Sequence, residues 1–184
     1  MLEPIVRAMM RGERTAPVSV KTYASRQYRG VDQATNWRRV ESIIQEELGM
    51  TDLFLLLVDR DCVEMRRESL TNIEAKAKDI LPTGKALLAE NAWQEIEVWI
   101  LAGSTWKKGQ RTETMWSDIR AQCHPKEVYF HKFSVAMKRF EEPDGGRKSL
   151  AIEAAANYQR IKRRCPEVGL LESRIRTWIE ATQP

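Results

Sequence analysis

The chain is poor in the residues that usually announce a function. Cys62, Cys123 and Cys165 are the three cysteines in 184 residues, scattered and without a CxxC pair, so neither a disulfide framework nor a structural zinc site is expected. There are only two histidines, and Cys123, His124 and His131 lack a fourth partner at a zinc-ligand spacing. No Walker loop, GxGxxG or GxSxG occurs, which leaves nucleotide-cradling and serine-hydrolase chemistry without footing. No apolar run approaches the roughly 18 residues needed to cross a bilayer, and the N-terminus lacks a basic, apolar, small-residue signal pattern. A soluble, cytoplasmic protein with no membrane partner is expected. Internal repeats and low-complexity segments are absent.

With 42% hydrophobic and 30% charged residues, the chain suits one globular domain with a real core, or a domain with a small helical appendix. The net charge of +4 is mild. Its distribution is more telling. From residue 145 to the end, eight Lys or Arg (Arg147, Lys148, Arg160, Lys162, Arg163, Arg164, Arg174, Arg176) stand against four Glu (Glu153, Glu167, Glu172, Glu180). Such a basic face can meet phosphates, and it can equally be an ordinary solvated helix surface.

The clearest element is residues 51–62, TDLFLLLVDRDC. An apolar run without alternation, Leu53 to Val58, is what a strand covered on both faces looks like, and such strands occur mainly in parallel or mixed sheets flanked by helices. The carboxyl end of that strand is where an α/β fold places a ligand. Residues i and i+2 of a strand share a face, roughly 7 Å apart, so Asp59 and Asp61 can converge on a hard cation. The competing reading is that Asp59 ends the strand and Asp61 caps a helix or turn.

Residues 93–103, WQEIEVWILAG, read as a second strong strand. Glu97 is its oddity, since an acid within it must lie on an exposed edge or be held by a partner. Between the two, residues 62–89 read as polar and helix-prone, with a loop at Leu81, Pro82, Thr83 and Gly84. Arg66 and Arg67 lie just beyond the aspartates, where they face either a phosphate or solvent. Elsewhere the pattern predicts a helix over residues 1–11, a short strand over 17–24, and a helix from Asp32 or Thr35 to Leu48. It then predicts a helix around Trp116 and another from Pro125 to Phe140, a turn over 141–147, and a helical hairpin over 148–164 and 167–179.

The series LLLVDRD, IEVWILAG, HPKEVYF, DGGR and CPEVGLLESRI resembles the small Toprim-like proteins allied to the OLD and RloB families of bacterial defence nucleases. The resemblance implies an α/β fold with a Toprim-like, mostly parallel sheet flanked by helices over residues 1–140, and a C-terminal helical hairpin over 141–184. It implies Mg2+ or Mn2+ on Asp59 and Asp61, with Glu97 of the E-x-W strand motif and Lys126 and Glu127 of the P-K-E motif as catalytic residues nearby. Arg66, Arg147, Lys148 and Arg163 are the expected nucleic-acid contacts. The implied activity is phosphodiester cleavage of DNA or RNA in antiviral defence, beside an ABC- or AAA-type ATPase and as a possible homo-oligomer. The family pattern opens with a strand ending in glutamate and glycine ahead of a segment like LEPIV, whereas this sequence starts at Met1-Leu2-Glu3-Pro4. The matching strand and acid are therefore expected either upstream or lost. Loss would make the protein a catalytically lapsed subunit that binds a partner or nucleic acid.

Overall fold

In a computed structural model of the protein, the described residues are 2–11, 19–22, 30–105 and 113–182. The chain is mixed α/β. Its sheet consists of β1 (Leu53–Asp59) and β2 (Ala86–Ala92), joined by α4 (Arg66–Ile80) and paired in parallel with Leu53 opposite Ala86 and Asp59 opposite Ala92. Before it lie α1 (Glu3–Met9), α2 (Val31–Ala34) and α3 (Trp37–Glu47). After it come α5 (Glu97–Gly103), α6 (Glu113–Ala121), a π-helical turn at Lys126–Phe130 and α7 (His131–Ala136). The C-terminal part is helical: α8 (Arg147–Ala155), α9 (Tyr158–Arg164) and α10 (Pro166–Thr182).

Alternation along β1 sends Leu53, Leu55 and Leu57 to one apolar cluster and Phe54, Leu56 and Val58 to another. The sheet is thus covered on both faces, as the unbroken apolar run predicts. One cluster, with Val40, Ile44, Leu70, Ile73 and Ala77, is built by α3 and α4. The other is larger and runs from Ile5 through Trp99 and Phe130 to Leu150, Ile161 and Leu171.

Three expectations about elements are overturned. Residues 97–103 form a helix, not a strand, and every one of them is buried. A helix buried all round carries no amphipathic period, and a short apolar run of this kind cannot be told from a strand by pattern. The true second strand is ALLAENA, whose Ala, Leu and Glu favour helix in isolation. Pairing with β1 overrides that preference. The hairpin expected at the C-terminus is three helices, broken again at Ala156 and Asn157. The strand expected over residues 17–24 falls partly outside the described residues, and residues 19–22 carry no strand.

A two-stranded sheet has open edges, and side chains close one of them. The Ala89 N–H donates to Glu74 Oε1 at 2.6 Å, while the Ala89 carbonyl accepts from Arg67 Nη1 and Arg174 Nη1, each at 2.9 Å. Arg174 also pairs with Glu74. These groups stand where another strand would otherwise pair. Gly103 permits the close approach of α5 to α8: a Cβ there would lie 2.8 Å from Ala154 Cβ.

The start of α10 is locked to α5 and α6 through Glu167. Its carboxylate accepts from the Trp93 N–H at 3.2 Å and Trp99 Nε1 at 3.1 Å, and from both terminal nitrogens of Arg120. Removing it leaves a half-buried guanidinium and two N–H groups without their acceptor. Glu167→Ala is therefore expected to lower unfolding free energy by roughly 3 to 5 kcal/mol in urea titrations. Glu153→Ala, which breaks a half-exposed pair with Arg139, is expected to cost less than about 1 kcal/mol.

Candidate functional site

At the carboxyl end of the sheet the chain turns sharply. The Arg60 and Asp61 N–H groups donate to the carbonyls of Ala92 and Gln94 at 3.2 and 3.0 Å, extending the β1 contact past the strand. Asp61, Cys62 and Gln94 then adopt left-handed backbone, with φ of 52°, 55° and 70°. The Cys62 N–H donates to Gln94 Oε1 at 2.9 Å, which fixes the turn. The extended geometry that would set Asp59 and Asp61 on one face therefore stops at Asp59. Asp61 is exposed.

Asp59 Oδ1 instead accepts the Ile96 N–H at 2.7 Å, so the last residue of β1 holds the first turn of α5. That same turn carries Glu95 and Glu97. Glu97 is buried and accepts from Arg147 Nε at 2.6 Å, and Arg147 also donates to the Asp144 carbonyl at 2.7 Å. Glu95 is buried too, and its Oε2 accepts the Lys126 N–H at 2.6 Å. The segment Cys123-His124-Pro125-Lys126-Glu127 is thereby brought over the end of the sheet. Lys126 Nζ lies 3.4 Å from Glu127 Oε1.

A disulfide between Cys62 and Cys123, with Cα atoms 5.5 Å apart, ties this segment to the Asp61 turn. This corrects the expectation that the cysteines are unpaired. The two lie 61 residues apart in sequence, a separation that carries no pairing signal, and the tertiary fold alone makes them neighbours. Disulfides persist mainly in oxidising compartments, so the expectation of a cytoplasmic protein gains no support. Among the described residues no helix is long and apolar enough to cross a membrane.

The acids are crowded enough to disturb one another. Burial pushes the Asp59 carboxyl up to about 6; the Ile96 N–H opposes the rise and the charges of Glu97 and Asp61 add to it. Burial likewise pushes Glu95 up to about 7, opposed by the Lys126 N–H and reinforced by Glu97, Glu127 and Asp59. Five carboxylates (Asp59, Asp61, Glu95, Glu97 and Glu127) share this end with Arg60, Lys126 and Arg147, so the acids outnumber the bases. Such an arrangement favours a cation.

Glu95, His124 and Glu127 offer ligand atoms that all lie within 4.8 Å of one another. Two carboxylates and an imidazole make a donor set that suits Mn2+ and its transition-metal neighbours better than Mg2+. The N–H bond from Lys126 orients Glu95 in the manner of an outer partner. The residues present thus fit a divalent cation. Nothing in the sequence singles out Glu95, and the sequence offers His124 only as a zinc ligand. The available signal was the Glu95–Glu97 spacing at the start of a short helix, which a strand reading hides.

Arg147 is spent on Glu97, Lys148 and Arg163 are exposed on different helices, and Arg66 is buried. Arg163, with Arg11, Arg160 and Tyr158, lines a cleft of about 440 Å³ between the N-terminal and C-terminal helices. No family model, curated protein or solved structure matches the chain.

Both displaced acids hold protons more tightly when folded than at their ordinary values of 3.8 and 4.5. The folded state therefore binds extra protons between about pH 4 and pH 7, and its metal-free stability falls as pH rises through that window. Asp59→Asn, which keeps an oxygen for the Ile96 N–H, is expected to flatten the lower part of this decline, and Glu95→Gln the upper part. Urea midpoints measured from pH 4.5 to 7.5 on the three proteins check it.

Proposed function

We propose that this chain is a divalent-cation-dependent nuclease of Toprim type, with its cation held by Glu95, His124 and Glu127 at the carboxyl end of the sheet. The observation that carries the reading is the crowding there of displaced acids, Asp59 and Glu95 above all, beside three convergent ligand groups. Bound there, the cation supplies Lewis acidity for phosphodiester cleavage.

The chain's own groups divide the remaining work. Glu95 is fixed by the Lys126 N–H and keeps a second oxygen free of that bond. Asp59 has one oxygen on the Ile96 N–H; its other oxygen, on a carboxyl that titrates near pH 6, is suited to accept a proton from an attacking water. Lys126 Nζ, already beside Glu127, is placed to offset charge on a phosphate oxygen. Arg147 holds Glu97 in position. The resemblance adds an ATPase partner, a nucleic-acid substrate and a role in defence.

A second reading is the catalytically lapsed subunit, favoured by the engagement of Asp59 and Glu97 with internal partners. Cleavage assays separate the two. Plasmid DNA and tRNA incubated with the chain and Mn2+ are expected to be cut, and Glu95→Gln with Glu127→Gln to slow cutting by about 100-fold or more. Cleavage undiminished by the double change would contradict the proposed centre. A chain that binds Mn2+ but cuts neither substrate would favour the lapsed subunit.

A further inference from the structure

The first turn of α4 holds a cation for which the described residues supply no counter-charge. Arg66 opens the helix, is only 9% exposed, and its Nε is enclosed without a hydrogen-bond partner. Its guanidinium has no carboxylate partner among the described residues. The other buried or half-buried arginines nearby are all engaged: Arg67 and Arg174 on Ala89 and Glu90, Arg120 on Glu167, Arg147 on Glu97. A buried guanidinium without an anion is costly to keep. The cost points to an anion that is bound from outside.

The backbone around it is arranged for the same purpose. Met65 occupies the N-cap and offers no side-chain hydrogen bond. The Arg66 N–H donates to the Val63 carbonyl and the Ser69 N–H to the Met65 carbonyl. The intervening N–H groups, of Arg67 and Glu68, have no acceptor among the described residues. Arg66 is the first residue of the helix and stands beside those free N–H groups. Arg66 shares a helix stripe with Leu70, Ile73 and Ala77, which pack on the sheet face of Val58, Leu87 and Ala89. Alternation along β2 puts Asn91 on that face as well, buried and directly opposite Val58. This is the face opposite the one that carries Asp59. The acids on the same turn, Glu64 and Glu68, are exposed to solvent.

We propose that the N-terminus of α4, with Arg66 and Asn91, binds the oxyanion of a phosphate group. A helix of fifteen residues presents its positive end and two free N–H groups to the anion, and a guanidinium adds a planar fork that matches phosphate oxygens. The site lies at the carboxyl end of β1, where a β-α-β unit receives phosphates. It does not depend on the cation reading, because none of its donors belongs to the Glu95, His124 and Glu127 group.

The test is a titration of inorganic phosphate into the full chain in chelator-treated, metal-free buffer, followed by calorimetry and by phosphorus NMR line width. Saturable one-to-one binding is expected, weakened by about tenfold or more in Arg66→Gln. Met65→Asp supplies the folding control. A carboxylate at that exposed N-cap takes up the free N–H groups, so the variant is expected to melt at a higher temperature while losing phosphate. Adenosine monophosphate and a short 5′-phosphorylated oligonucleotide form the other arms. Binding of either at least about tenfold tighter than inorganic phosphate assigns the site to a nucleotide or a strand end, and equal binding assigns it to free phosphate. Absence of saturable phosphate binding, or binding unchanged in both variants, would overturn the proposal. Running without metal keeps its failure separate from failure of the cation centre.

Discussion

Two parallel strands cannot be joined by a tight turn, and a sheet of two strands has edges that nothing in the sheet can satisfy. Both consequences are visible in the rest of the molecule. The crossover is α4, whose buried stripe supplies half the cover of one face. The outer edge of β2 is closed by Glu74, Arg67 and Arg174, drawn from α4 and α10, in place of a further strand. The carboxyl ends of both strands then point the same way, and the chain leaving each must turn there. Asp59 on the Ile96 N–H and Gln94 on the Cys62 N–H are the bonds that make those turns compact. The acid-rich end of the sheet follows from that compactness.

What distinguishes a structural acid from a chemically available one here is whether its donors include a charged side chain. Glu167 is buried, yet it accepts from two tryptophan-borne N–H groups and from a bidentate arginine. Glu97 has Arg147 at 2.6 Å. Glu95 is as buried as these but receives one backbone N–H, and Asp59 likewise one. Burial therefore outweighs the favourable contacts at these two, and their carboxyls rise toward neutral pH. The same reasoning in the opposite sign marks Arg66, which among the described residues is buried without a carboxylate, whereas Arg67, Arg120, Arg147 and Arg174 each have one. The two unbalanced sites lie at the same end of the sheet on opposite faces, the negative one under the Cys123–Glu127 segment and the positive one on α4.

Much of this was legible in the residues themselves. The apolar run of β1 declared a strand covered on both faces, and of the two readings of its aspartates the structure bears out that Asp59 ends the strand. The loop at Pro82 and Gly84 and the helix before it also followed from local signals. The pattern failed where tertiary structure overrules local preference. ALLAENA becomes a strand because β1 needs a partner, and EVWILAG becomes a helix because it is enclosed on every side. Reading that helix as a strand hides Glu95, because it takes Glu95 off the turn it shares with Glu97. The Cys62–Cys123 link and the solitude of Arg66 depend on which distant residues meet, and no local spacing encodes either.

The central proposal is that Glu95, His124 and Glu127, at the end of the sheet, hold a divalent cation. Calorimetric titration of Mn2+ at about pH 7.5, above the raised carboxyl values and hence with Asp59 and Glu95 ionised, reads it directly. One-to-one binding is the predicted result, weakened by about tenfold or more in the Glu95→Gln, Glu127→Gln double variant and little changed in Asp61→Asn. Binding that is absent, or equal in the unaltered chain and the double variant, would contradict it.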